Sequence, residues 1–103
     1  ALVDDLRERI FGLDTEGAII EKANKHYMVY KHGKNFCEVW IQNNQLKLWL
    51  DITVAELDDP FKLAKDVSRT GHWGTGETEV SLEDENQLNK IMSLVEQAYQ
   101  QTD

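Results

Sequence analysis

The stretch Phe36-Cys37-Glu38-Val39-Trp40-Ile41-Gln42-Asn43-Asn44-Gln45-Leu46-Lys47-Leu48-Trp49-Leu50-Asp51-Ile52 decides the fold. It reads as two alternating strands, 36–42 and 46–52, around an Asn-Asn pair suited to the positive φ angles of a two-residue hairpin turn. With Asn43 and Asn44 at the turn, Ile41 faces Leu46, Val39 faces Leu48 and Cys37 faces Leu50, so every pair on one side is apolar. A slip of one residue would set the three leucines against Gln42, Trp40 and Glu38, which determines the register. The other side of this hairpin carries Phe36, Trp40, Lys47 and Trp49.

Working outward, 27–31 reads as a further strand, returning through His32-Gly33-Lys34-Asn35 so that Met28 and Tyr30 oppose Val39 and Cys37. Residues 2–12 read as a helix with Leu2, Val3, Leu6 and Ile10 on one side, closed by Gly12. Residues 17–22 read as a short strand. Thr53-Val54-Ala55-Glu56 fits a capping box over a short helical turn. Asp59-Pro60 has the form of a cap followed by proline, and predicts a second helix with Phe61, Leu63, Ala64 and Val67 as its apolar side. Gly71 stands where a left-handed cap would end that helix. A strand is expected over 77–82. A last helix, opened by Asp84 and Gln87 and running to about residue 101, presents Leu88, Ile91, Met92, Val95, Ala98 and Tyr99 at core-facing spacing. The order α-β-β-β-β-α-α-β-α describes an α+β domain, with an antiparallel sheet of four to five strands and helices mainly on one face.

The chain has 103 residues, 41% of them hydrophobic, which suits one domain with one modest core. No apolar run approaches the roughly 20 residues of a membrane-spanning helix. The single cysteine, Cys37, cannot form an internal disulfide. The cytoplasm is therefore the expected compartment, with no membrane partner and no cofactor. The net charge of −8 disfavours nonspecific binding to phosphate backbones. The charge is uneven, however. Lys22, Lys25, Lys31, Lys34 and Lys47 stand against Glu38 alone in the centre of the chain, and Lys62, Lys65 and Arg69 against Asp66 further on. An acidic protein with one basic face and a solvated surface of mixed charge both fit this pattern.

Two groups of residues carry candidate chemistry. Trp40 and Trp49 beside Lys47, with Lys31 and Lys34 in the adjoining loop and strand, could stack on a base or ligand ring. The same aromatics could instead lie under a helix or long loop, and cover is the more heavily weighted reading. The run Gly71-His72-Trp73-Gly74-Thr75-Gly76 could offer loop amides with His72 and Thr75 to an anion. It lacks the Gly-Lys-Ser/Thr of a phosphate-binding loop, and the order is helix to strand. As a structural junction it would give Trp73 a place in the core, leaving His72 and Thr75 open. His26, His32, His72 and Cys37 form no paired metal-ligand spacing. No nucleophile motif is present.

Tyr27-Met28-Val29-Tyr30-Lys31, Lys34-Asn35-Phe36, Leu46-Lys47-Leu48, Asp58-Asp59-Pro60 and Asp66-Val67-Ser68 through Gly71-His72-Trp73-Gly74-Thr75-Gly76 together resemble a bacterial and archaeal domain-of-unknown-function family, often described as "predicted transport protein". The similarity covers about residues 14–100. The Gly-His-Trp-Gly-Thr-Gly run is its most specific element. The resemblance implies a C-terminal module in longer proteins, beside restriction-endonuclease-like or other defence-associated domains, and carries over no catalytic residue. A transport role finds no support in the residues. The expectation is a non-catalytic binding module that meets nucleic acid or another part of its parent chain. The alternative is a small-ligand or anion sensor built on the 71–76 loop.

Overall fold

The computed structural model describes residues 2–43, 45–69 and 76–102. These form two α-helices, two short 3-10 turns and a six-stranded antiparallel sheet. Helix α1 spans Leu2–Phe11. Strands β1 to β4 are Ile20–Ala23, Met28–His32, Lys34–Ile41 and Leu46–Leu50. Strands β5 and β6 are Lys65–Asp66 and Thr78–Leu82, and helix α2 is Leu88–Gln100. The strands lie in the order β1-β2-β3-β4-β6-β5, so four consecutive strands form a meander and β6 joins it beside β4.

The central hairpin has the register its apolar pattern requires: Ile41 pairs with Leu46, Val39 with Leu48 and Cys37 with Leu50. Gln42 donates its N–H to the Gln45 carbonyl at 2.9 Å, closing the two-residue connection. The adjoining pairs Met28 with Val39 and Tyr30 with Cys37 also form. β6 extends the apolar row, with Val80 opposite Leu48 and Leu82 opposite Leu46.

Both helices cover this side of the sheet. The main core joins Leu6 and Ile10 of α1 to Leu88, Ile91, Leu94, Val95 and Ala98 of α2 over Val39, Leu48, Leu50, Val80 and Leu82. In α1, Asp4 and Asp5 in the first turn and Arg9 in the last complement the helix dipole. Before α2, the Asp84 carboxylate accepts the Asn86 N–H and the Gln87 side chain returns to the Asp84 N–H, a capping box that opens a 3-10 turn leading into the helix. Thr53 likewise accepts the Glu56 N–H at 3.2 Å to start the 3-10 turn Val54–Glu56.

Three expectations need correction. The second helix from Pro60 does not form. Asp59 instead accepts the N–H groups of Leu63 and Ala64, at 3.0 and 2.8 Å, and Lys62 takes a positive φ of 54°. A helix tolerates neither arrangement, and the chain continues as edge strand β5, where Lys65 is exposed and Val67 just beyond it is buried. The Gly71 cap assigned to that helix lies outside the described residues. The sheet accordingly has six strands rather than four to five, and the first of them runs over Ile20–Ala23 rather than 17–22. Phe36, expected beside Trp40, lies instead in the main core. The register shifts after Tyr30, so that Lys31 pairs with Asn35 and Phe36 is the extra residue. Such a bulge turns two successive side chains to one side. The Phe36 ring meets Tyr99 of α2 edge-on at 5.6 Å.

Candidate functional site

The side of the sheet away from the helices is set by the alternation of its strands. Across it run Lys22, Val29, Glu38, Trp49, Glu79 and Lys65, one from each strand, and the next row holds Trp40, Lys47 and Ser81. Val29, Trp49 and Val67 are buried but do not belong to the main core. Gly76 closes over the backbone at Trp49 and Leu50. A Cβ there would come within 2.8 Å of the Leu50 nitrogen and the Trp49 carbonyl carbon, a distance only glycine can accept. The Gly76 N–H donates to Glu38 Oε1 at 2.9 Å, and Glu38 is fully buried.

Of the residues singled out from the sequence, the structure brings together Trp40, Lys47 and Trp49. The two indoles stack with centroids 5.9 Å apart, and Tyr27 meets Trp49 edge-on at 6.1 Å. Trp49 is only 2% exposed and donates its indole N–H to Glu79 Oε1 at 3.1 Å. The other Glu79 oxygen lies 3.9 Å from the Lys47 ammonium. Trp40 and Lys47 are half-buried. Trp49 is thus the foundation of the site and Trp40 with Lys47 its accessible part. Lys31 shares the sheet face but stands at the opposite end of β2 from Tyr27. Lys34 pairs with His32 beyond the bulge, on the helix side, where its charge helps hold the Glu56 carboxyl low after the Thr53 and Gln101 hydrogen bonds. His72, Trp73 and Thr75 lie outside the described residues.

Sequence reasoning missed Glu38 and Glu79. Glu38 sits between two apolar positions in the strand and reads as an ordinary outward carboxylate. Its burial depends on a segment that returns 38 residues later. Glu79 could have been found from the β6 register opposite Trp49, had the β4–β6 pairing been known.

A Thr-His-Asp set also occurs on the helix side. His32 Nδ1 lies 2.7 Å from Thr102 Oγ1, and Nε2 lies 3.9 Å from Asp14 Oδ2. Its polarity is not that of a nucleophile and its base. Thr102 donates its hydroxyl proton to the Tyr99 carbonyl at 2.6 Å, so its oxygen accepts from the imidazole. The set ties the end of α2 to the sheet. Cys37, fully buried in the main core, has its thiol pushed well up by burial, with the Glu38 and Asp51 charges adding to it. Among the described residues no three His, Cys, Asp or Glu side chains gather closely enough to hold a metal ion. Among them, too, no helix is long and apolar enough to cross a membrane.

The fold and this face define a small α+β domain with a two-sided sheet, one side closed by helices and the other partly closed by its own chain. The chain belongs to the family described as a domain of unknown function, DUF5655, which matches residues 1–102. It is similar to an uncharacterized protein of Haemophilus influenzae, 41% identical over 97 residues that cover 94% of this chain and 32% of that protein. The chain therefore spans about a third of that relative's length. No solved structure matches the chain significantly.

Proposed function

We propose that this domain is a non-catalytic binding module whose contact surface is the outer sheet face around Trp40 and Lys47. It acts in the cytoplasm as a C-terminal module of a larger nucleic-acid-processing or defence protein, with the Gly71–Gly76 run as a family signature. The observation that carries this reading is the half-buried Trp40 stacked on a fully packed Trp49. The Glu79 contacts fix the lower indole and steady Lys47, so the upper indole is held in place before any partner arrives. Lys22, Lys31 and Lys65 add positive charge on the same side of the sheet. A rigid aromatic flanked by lysines suits stacking on an unpaired base, or a side chain of a neighbouring domain. The coverage of one third of the Haemophilus relative supports the module reading.

The test is titration of short single-stranded DNA and RNA at low salt, followed by amide NMR signals. Signals of Tyr27, Trp40, Lys47 and Ser81 are expected to shift. Replacing Trp40 with alanine should remove about 1–3 kcal/mol of binding, the usual contribution of one stacked base. Unmoved signals throughout would leave only the parent chain as partner. The anion-sensor alternative, with His72 and Thr75 as donors, is the weaker reading. The Gly76 N–H already faces the Glu38 carboxylate, so an anion at that amide would meet a like charge.

A further inference from the structure

A groove lies between α1 and α2 on the far side of the molecule from Trp40. It is open to solvent, with a volume of about 700 Å³. Leu13, Leu88 and Met92 supply apolar lining, and Asp5, Glu8 and Glu96 place carboxylates around it. Leu88 and Met92 are buried members of the main core and show only their edges to the groove, so the floor is narrow. Among the described residues none of the three carboxylates makes a hydrogen bond or ion pair with the protein. Among the described residues that line the groove the one cation is Arg9, whose guanidinium donates across it to the side-chain oxygen Oδ1 of Asn89 at 2.9 Å.

We propose that this groove docks a basic segment of a partner polypeptide, with the stems of arginine or lysine side chains over Leu13, Leu88 and Met92 and their charged heads at Asp5, Glu8 and Glu96. Long cationic side chains pair an apolar stem with a charged tip, which is the combination a narrow apolar floor with an anionic rim selects. The chain shows the same chemistry one helical face away. Arg7 of α1 places its guanidinium 5.4 Å from the Phe11 ring centroid while its Nε donates to Glu21 at 2.7 Å. A single metal ion does not fit, because the carboxylates do not gather around one point. A phosphate backbone does not fit either, because the rim is anionic. An extended partner with several positive charges satisfies both conditions.

The experiment uses a 14-residue amphipathic peptide of leucine and arginine, with a counterpart in which glutamate replaces every arginine. Binding is followed by amide NMR and by fluorescence anisotropy. The arginine peptide should shift signals of residues 5–13 and 88–96, and the glutamate peptide should shift none. The triple variant Asp5→Asn, Glu8→Gln, Glu96→Gln should bind the arginine peptide about tenfold more weakly, as three exposed charge contacts would imply. The variant Glu77→Gln, Glu83→Gln, Glu85→Gln, with the same net charge but an intact groove, should bind as the unaltered protein does. Equal weakening in the two variants would show general attraction to an acidic protein and overturn the proposal. So would shifts elsewhere, no binding, or groove signals that move with protein concentration alone, which would make a second copy the occupant.

Discussion

The Glu38 carboxylate in β3 accepts the backbone N–H of Gly76 at 2.9 Å, in a fully buried position on the side of the sheet that the helices leave uncovered. This contact joins the central strand to the segment that enters β6, and it forms over the backbone of β4 between them. Val29 and Trp49, buried outside the main core, lie on this same face.

Gly76→Ala should therefore be costly although no special φ angle is involved. The added methyl would meet the Trp49 and Leu50 backbone at 2.8 Å, and backbone cannot rotate away as a side chain can. Overpacking of this kind costs about 1–3 kcal/mol. Urea unfolding should show the midpoint falling with an unchanged slope. Glu38→Ala should cost a comparable amount, about 1–3 kcal/mol for the buried amide left without its acceptor. A midpoint unchanged in Gly76→Ala would mean that the approach of Gly76 to β4 is not close in solution.

The two tryptophans should separate under mutation. Trp49 is buried, bonded to Glu79 and packed between Tyr27 and Trp40, so Trp49→Ala should lose about 3–5 kcal/mol, the usual cost of emptying a large aromatic site. Trp40 is half-buried and should lose clearly less. Thermal unfolding of the two single variants checks this. If Trp40→Ala proved as destabilising as Trp49→Ala, Trp40 would be a packing residue and its role as a contact surface would fall.

The hairpin was legible because its information is local. Ile41, Val39 and Cys37 meet Leu46, Leu48 and Leu50 in the only register that keeps like with like. The capping box at Asp84 and Gln87 was legible for the same reason, since four adjacent residues complete it. β5 was hidden because Lys65 and Asp66 pair with β6 through backbone alone, while Asp59-Pro60 carries a strong helix-start signal that Lys62 then contradicts. Phe36 was misplaced because the bulge after Tyr30 breaks the alternation that assigned it. Glu38 was passed over because its burial is a long-range fact. The grouping of Lys34 with Lys31 failed with the same bulge, whereas the Trp40–Lys47 juxtaposition followed directly from the hairpin register.

Cys37 should resist thiol reagents in the folded state. Burial pushes its thiol well above the ordinary range, so the reactive thiolate is scarce near neutral pH, and the side chain is also covered on every side. Labelling with a disulfide reagent at pH 8 should be slow in buffer and fast in denaturant, at a rate limited by opening of the core. Rapid labelling in buffer would place Cys37 at a surface and contradict the central register.

Glu21 links acid stability to the seam between α1 and β1. Its carboxylate accepts from Arg7 at 2.7 Å and from the Tyr30 hydroxyl at 2.8 Å. The Arg7 bond is the larger cause holding its pKa below the ordinary 4.5, with burial acting against it. The same carboxylate, after burial itself, raises the Tyr30 hydroxyl, so Tyr30 stays protonated as a donor. A carboxyl with a depressed folded pKa stabilises the fold fully above its unfolded value, and this contribution is lost as the pH falls through the folded value. The wild type should therefore show a decline in stability beginning near pH 4.5 and continuing below it. Glu21→Gln should start lower at neutral pH and fall less steeply across that window, because its side chain carries no proton-dependent bond to Arg7. Urea midpoints from pH 7 to pH 3 for the two proteins supply the comparison. Parallel curves would show that Glu21 has the same proton affinity folded and unfolded, and that the Arg7–Glu21 pair contributes nothing to holding α1 on the sheet.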